Sequence, residues 1–144
     1  ALNSVGARLR HQSALTDRQP AQLLADELLT EVLQHRYDDP DETPTFGVES
    51  SESGGTRTLF DDVDDYHGWD KSPPQDRDGT TMANGSRWRR TATVEYVLSS
   101  DVTTTTGSDQ GIKRVTVTVY LDGEQMVALQ GIRSRAWEDA CATY

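Results

Sequence analysis

Residues 60–70 concentrate side chains that could do chemistry, in the order Phe-Asp-Asp-Val-Asp-Asp-Tyr-His-Gly-Trp-Asp. Carboxylate oxygens are the ligands that Ca²⁺ prefers in proteins. Four of the aspartates are therefore candidate calcium ligands: Asp61, Asp62, Asp64 and Asp65. Their spacing is not that of an EF-hand loop, because a template started at Asp62 places Pro73 where the bidentate glutamate belongs. The alternative is a solvated turn with its aromatic side chains against the core.

Other chemistries have less support in the chain. The three histidines are scattered and Cys141 is the only cysteine, so no transition-metal spacing and no intramolecular disulfide can be formed. Asp62 and Asp65 could in principle act as an acid and a base, with Trp69 as a sugar platform. No nucleophile elbow or phosphate-binding glycine loop accompanies them, so we expect a protein that is not an enzyme.

Composition limits the partners and the size of the fold. The chain has 144 residues, 34% of them hydrophobic, and a formal net charge of -10. This length suits one domain with a single core, residues 1–144. The acidic balance argues against nucleic acid as a partner, because such binding needs clustered Lys and Arg.

The elements that must position these residues begin with a helical stem, residues 1–37. Leu2, Val5 and Leu9 have the spacing of an amphipathic helix, and Pro20 either kinks this helix or opens a second one. Residues 21–36 give the strongest helical pattern, with leucines and a valine in an i, i+4 row, and the helix is predicted to end near Tyr37.

An irregular acidic middle, residues 38–86, precedes a predicted antiparallel sheet, residues 87–134, and a tail, residues 135–144. Alternating apolar residues predict three strands, at 88–98, 112–121 and 125–133. The hairpin at Asp122-Gly123 could have a two-residue loop or a three-residue loop with a bulge. We favour the bulged form, because it places Val119 and Val117 opposite Val127 and Leu129.

Three stretches resemble the soluble part of type IV pilin-like proteins, of the minor pilin or type II secretion pseudopilin kind. They are the helix at 23–37, the acidic and aromatic element at 60–69, and the hairpin strand at 113–119 leading to 131–134. The sequence Asp-Asp-Val-Asp-Asp-Tyr-His-Gly is similar to one in prepilin-like proteins related to the biogenesis of mannose-sensitive haemagglutinin pili. The implied fold class is α+β and pilin-like, with a long N-terminal helix on an antiparallel sheet of about three to four strands and long irregular loops.

The resemblance also implies a function and a location. The chain would be a structural, non-enzymatic minor pilin or pseudopilin of a type IV pilus or type II secretion filament. Its partners would be other pilin subunits, contacted in part through Leu2, Val5 and Leu9, and the inner membrane, reached by a hydrophobic helix that precedes this sequence. The soluble domain would be periplasmic or extracellular. The alternative is a calcium- or glycan-binding extracytoplasmic module outside any filament.

Overall fold

The structure is a computed structural model that describes residues 2–40, 43 and 45–141, with side chains for 16–40, 43 and 45–140. Two helices, one 3₁₀ turn and five strands follow one another along the chain. In order they are α1 (Leu2–Leu33), the 3₁₀ turn (Asp64–Tyr66), β1 (Asp70–Lys71), β2 (Trp88–Leu98), β3 (Asp101–Thr105), β4 (Ile112–Leu121), β5 (Glu124–Ser134) and α2 (Arg135–Cys141).

Helix α1 continues through Pro20, so the stem is one helix rather than two. It ends at Leu33, earlier than the predicted end near Tyr37. One side of its second half is buried and supplies part of the core: Ala21, Leu24, Ala25, Leu28 and Val32. Within the described residues, no helix has the length and apolar character needed to cross a bilayer.

All strands pair antiparallel in one five-stranded sheet with the order β1-β2-β4-β5, and β3 pairs with the far end of β2. Side chains of β4 alternate strictly between the buried and the half-buried side of the sheet. The buried side carries Val115, Val117 and Val119, which join the α1 residues in a single cluster. The helix therefore covers one face of the sheet, mainly over β4 and β5.

The β4–β5 hairpin has the predicted register. Val119 pairs with Val127 and Val117 with Leu129, and a bulge beyond Val119 makes Met126 the extra residue. The loop itself has only two residues, because Leu121 pairs with Glu124. Both loop residues have positive φ, 51° at Asp122 and 86° at Gly123, as the tight turn of a twisted hairpin requires.

The predicted fold class is wrong: the chain is not an α+β pilin-like domain with about three to four strands. The fold is organised mainly by a five-stranded sheet. Two strands were missed because they are short and polar. In β3, the Asp101 carboxylate accepts hydrogen bonds from the Thr103 amide at 3.0 Å and from the hydroxyl groups of Thr103 and Thr104. In β1, Asp70 forms an ion pair with Arg89 of β2.

Candidate functional site

Residues 60–70 join the end of α1 to the edge of the sheet. The Val63 amide donates to the Arg36 carbonyl oxygen at 3.0 Å, just beyond the helix. Downstream, the Ala92 amide donates to the Trp69 carbonyl oxygen at 2.8 Å, which ties the segment to β2. Phe60 and Tyr66 are buried with their ring centroids 5.0 Å apart, and Trp69 packs against the same core. The expectation that the aromatic residues pack against the core is confirmed.

The aspartates of this junction are mostly inside the protein, which the picture of a solvated turn did not predict. Asp62, Asp64 and Asp65 are buried, and Asp61 is half-buried. The Asp65 Oδ2 atom accepts the amides of Asp61 and Asp62, both at 3.0 Å. The Asp62 Oδ1 atom accepts the Asp64 amide at 2.7 Å. These carboxylates therefore stabilise the tight backbone path of the junction, as capping side chains do.

Lys113 compensates part of this buried negative charge. Its ammonium group donates to the Asp64 carboxylate and to the Tyr37 carbonyl oxygen, and both side chains of the ion pair are 2% exposed. The Lys113 Nζ atom also lies 4.3 Å from the centroid of the Tyr37 ring, a cation–π distance. The second oxygen of Asp64 accepts the Gly47 amide at 3.0 Å, so Lys113 links β4, the helix end and the acidic middle.

A polar cavity of about 240 Å³ opens beside this ion pair. Its walls include both partners of the pair and a second charged set around Tyr37. The Tyr37 hydroxyl donates to Asp109 Oδ1 at 2.6 Å, and Arg135 donates to Asp109 at 2.5 Å and to Asp38 at 2.8 Å. Burial, followed by the Asp109 carboxylate, raises the pKa of the Tyr37 phenol above its ordinary value. Lys113 and Arg135 therefore pair with three of the carboxylates that line the cavity, those of Asp64, Asp38 and Asp109.

A second buried ion pair fixes the acidic middle to α1. The Arg57 guanidinium donates from Nε and Nη2 to the two carboxylate oxygens of Glu31, at 2.9 and 3.0 Å. The Tyr66 hydroxyl donates to the same Glu31 carboxylate at 2.9 Å and lies 3.0 Å from His35 Nε2. Burial alone would raise the pKa of Glu31, but the hydrogen bonds and charge of Arg57 hold it below its ordinary value. This bidentate geometry is the stronger kind of ion pair.

Two carboxyl groups of this region have raised pKa values. Burial, followed by the neighbouring Asp64 charge, raises the pKa of Asp62 to about 9, although Lys113 opposes the shift. Burial, followed by a hydrogen bond and charge repulsion from Asp65, raises the pKa of Glu52 to about 8. At neutral pH each of these groups is more readily protonated than an exposed carboxyl, because its charge is poorly solvated.

The carboxylates of Glu49, Glu52 and Asp65 form a buried acidic triad. One oxygen atom from each residue lies within 4.8 Å of the other two. The Asp61 amide donates to Glu52 Oε1 at 3.1 Å as well as to Asp65, so the two carboxylates share one donor. Hard oxygen ligands in such a group are suited to Ca²⁺ or Mg²⁺ rather than to a soft transition metal.

The predicted site residues are only partly brought together. Asp65 belongs to the acidic triad, whereas Asp62 and Asp64 serve the backbone of the junction and the pairing with Lys113. Calcium binding by the four aspartates stays a prediction. The predicted contact residues Leu2, Val5 and Leu9 lie on α1, but their side chains are outside the described residues.

Several important residues of the site were not predicted. Lys113 has the same strand parity as Val115, so the alternation of β4 already placed it on the buried side. Arg90 has the parity of Ala92 and Val94, and it too is buried rather than an ordinary surface charge of the strand. Glu49 and Glu52 of the triad, in contrast, lie in a polar segment without apolar periodicity, so no pattern in the sequence predicts that they are buried.

Together, the fold and the site define the class of protein: a domain built mainly on a five-stranded antiparallel sheet, covered on one face by α1 and held by the Arg57–Glu31 and Lys113–Asp64 ion pairs. More specifically, the chain belongs to the family described as flagellar M-ring protein C-terminal, whose match covers residues 27–141, well over half of its length. Comparison with curated proteins found no match, and comparison with solved structures found none.

The family match corrects the predictions that were based on pilins. The resemblance to type IV pilin-like and pseudopilin families is wrong, and so is the function of a minor pilin in a type IV pilus or type II secretion filament. Pilin subunits are accordingly wrong as partners, and the alternative of a separate calcium- or glycan-binding module is not favoured. The shared order of a long helix followed by strands explains the error, because many unrelated functions use such an architecture.

Proposed function

We propose that this domain is a structural, non-enzymatic component of a ring in a flagellar or related secretion system. The observation that carries the proposal is the match of residues 27–141 to the flagellar M-ring protein C-terminal family. The partners would be further copies of the same chain and other ring components. The Arg57–Glu31 and Lys113–Asp64 ion pairs support a structural role, because they join the helix, the sheet and the acidic middle to one another.

A ring of identical copies needs contacts between two different surfaces of each copy, since repeated head-to-tail contacts close into a circle. The outer edge of β5 is suited to be one of these surfaces, because among the strands that the structure describes β5 pairs only with β4. An edge strand offers unpaired amide and carbonyl groups to a neighbour. At its end, Ile132 is 43% exposed and Trp137 of α2 is 64% exposed. We call the β5 edge with these two side chains the β5 surface.

The proposal predicts that the chain associates with itself and that changes in the β5 surface weaken association. We would measure molar mass by sedimentation over a range of protein concentrations and inspect the products by negative-stain electron microscopy. Combined replacement Ile132→Thr and Trp137→Ser should shift the products towards monomer, because buried apolar contacts are lost. Val102→Thr is the matched control, since Val102 is also exposed but lies on β3.

Circular dichroism would verify that each variant remains folded. Association that the control leaves unchanged and the double variant abolishes would support the proposal. A chain that stays monomeric at every concentration, and that gives only monomers after chemical cross-linking, would contradict it.

A further inference from the structure

The acidic triad is unusual because three carboxylates meet where water hardly reaches. Asp65 is 1% exposed, Glu52 6% and Glu49 7%. Burying one ionised carboxylate without a partner is already costly, and adding like charges at close range increases the cost. Such a group is expected to neutralise its charge by binding a proton or a cation.

Two buried positive side chains of this region are committed elsewhere. Arg57 forms its bidentate pair with Glu31, and Lys113 pairs with Asp64. Among the residues that the structure describes, no ion pair reaches any carboxylate of the triad. The donors that do reach it are neutral: the Asp61 and Asp62 amides, the Glu49 amide on Glu52, and the Thr45 hydroxyl on Glu49 at 2.8 Å.

A second, independent observation concerns the Asp65 carboxylate itself. Its Oδ2 atom accepts two backbone amides, which fix the orientation of the whole group. Its Oδ1 atom is buried and has no hydrogen-bond partner among the described residues. Buried polar atoms are nearly always satisfied, so an orphaned oxygen beside two further carboxylates indicates that a ligand is needed there.

From this geometry we propose that Glu49, Glu52 and Asp65 bind one Ca²⁺ ion. The ligand set consists only of hard oxygen atoms, which Ca²⁺ accepts in flexible geometry with six to eight ligands. Mg²⁺ fits less well, since it demands a near-ideal octahedron and retains several waters. The ion would hold the segment around residues 45–52 against the junction, next to the contact between the Gly47 amide and Asp64. The inference is independent of the ring proposal.

The test is calorimetric titration of the chelator-treated chain with CaCl₂, and in parallel with MgCl₂, supported by melting curves with and without chelator. The unchanged chain should bind one Ca²⁺ more tightly than Mg²⁺, and its melting temperature should rise with Ca²⁺, because an ion that binds only the folded state stabilises it. Glu52→Gln keeps the shape of the side chain but removes its charge. It should weaken Ca²⁺ binding about tenfold or more, since affinity depends on the number of charged ligands.

Two controls and a second variant make the result decisive. Asp78→Asn removes an exposed charge from a turn outside the sheet, and Glu124→Gln removes an exposed charge on β5; both should bind Ca²⁺ like the unchanged chain. Glu49→Gln should weaken binding as Glu52→Gln does, and it replaces that variant if Glu52→Gln does not fold. Absence of Ca²⁺ heat and of any melting shift in the folded, unchanged chain would overturn the proposal. Equal loss in Asp78→Asn or Glu124→Gln would overturn the assignment to the triad.

Discussion

Lys113 places a positive charge in the interior, where it contacts Asp64, the Tyr37 carbonyl oxygen and the Tyr37 ring. The contacts reach two other parts of the chain, Tyr37 beyond the end of α1 and Asp64 in the junction, so one side chain ties β4 to both. A buried pair of this kind gains little over an apolar substitute when both partners are replaced. Losing only one partner is far more costly, because the other charge remains buried and uncompensated.

Lys113→Met should therefore destabilise the fold by about 3–5 kcal/mol, the cost typical of breaking a buried ion pair. The free energy of unfolding would be measured by urea denaturation. The double variant Lys113→Met with Asp64→Asn should cost less than the sum of the two single changes, since removing both charges relieves the uncompensated one.

Arg87→Met is the matched control for this experiment. Arg87 also pairs with an aspartate, Asp122, but the two side chains are 62% and 54% exposed. An exposed pair contributes little to stability, because water and salt screen its charges. If Lys113→Met costs no more than Arg87→Met, the buried pair does not have the structural importance assigned to it.

The sequence predicted that the aromatic side chains of the junction are buried, but it did not predict that most of its aspartates are buried as well. The aromatic residues were placed correctly because burial of large apolar surface depends little on geometry. The aspartates could not be placed, since an ionised side chain is buried only when particular donors surround it. Here those donors are backbone amides of the 3₁₀ turn and Lys113 from a distant strand. Such long-range pairing has no local pattern in the sequence.

Between elements, helix and sheet approach each other closely at Gly131 of β5. A Cβ atom built on Gly131 would lie 2.6 Å from Leu33 Cδ1 and 3.2 Å from Leu29 Cδ1. The absence of a side chain therefore lets the last turns of α1 lie directly on β5. Both leucines are partly buried and pack against the core from this position.

Gly131→Ala should destabilise the protein by about 1–3 kcal/mol, the usual cost of adding a methyl group to a packed interface. The leucine methyl groups can move, so the fold should survive, and the free energy of unfolding from urea titration would report the cost. Leu33→Val shortens the opposing side chain and should recover part of that loss in the double variant. Gly107→Ala is the control, because nothing lies within 4 Å of its added methyl group; a similar loss there would contradict the packing explanation.

Elements with a strong apolar period were predicted well. Strands β2 and β4 begin and end where alternation predicted, and the hairpin register follows from the need to bury Val117 and Val119 on one face. Strand β3 was missed because its run of threonines has no apolar alternation. It is stabilised instead by Asp101 and by Arg114 of β4, which donates to the Val102 and Thr103 carbonyl oxygens at 3.1 and 2.9 Å. Tertiary hydrogen bonds of this kind override local composition.

For the molecule as a whole, the order of elements restricted the architecture far more than the function. A meander with one apolar face must have that face covered, and the strands with apolar alternation were predicted from the pattern of residues. The fold class was not, because two further strands join the sheet. The identity of the family did not follow, because an order of elements alone does not determine function. The acidic element at 60–69 was taken as a family signature, yet its residues serve internal packing and pairing.

The net charge of the chain opposes self-association into the proposed ring. Every copy has a formal charge of -10, so neighbouring copies repel one another at long range. Screening shortens this repulsion, from a Debye length of about 10 Å at 0.1 M salt to about 3 Å at 1 M. Self-association should therefore become tighter as NaCl is raised, and sedimentation at constant protein concentration would measure the change.

Glu124 allows the repulsion between copies to be tested at the β5 surface itself. Glu124 is exposed at the start of β5, so Glu124→Gln should strengthen association at low salt and reduce its dependence on salt. Asp78→Asn removes one charge from an exposed turn outside the sheet and should change association less. Association that weakens as NaCl rises would indicate that ion pairs between copies hold them together, because salt screens such attraction. In that case the contact surface would have to be sought among the exposed arginines rather than at the apolar end of β5.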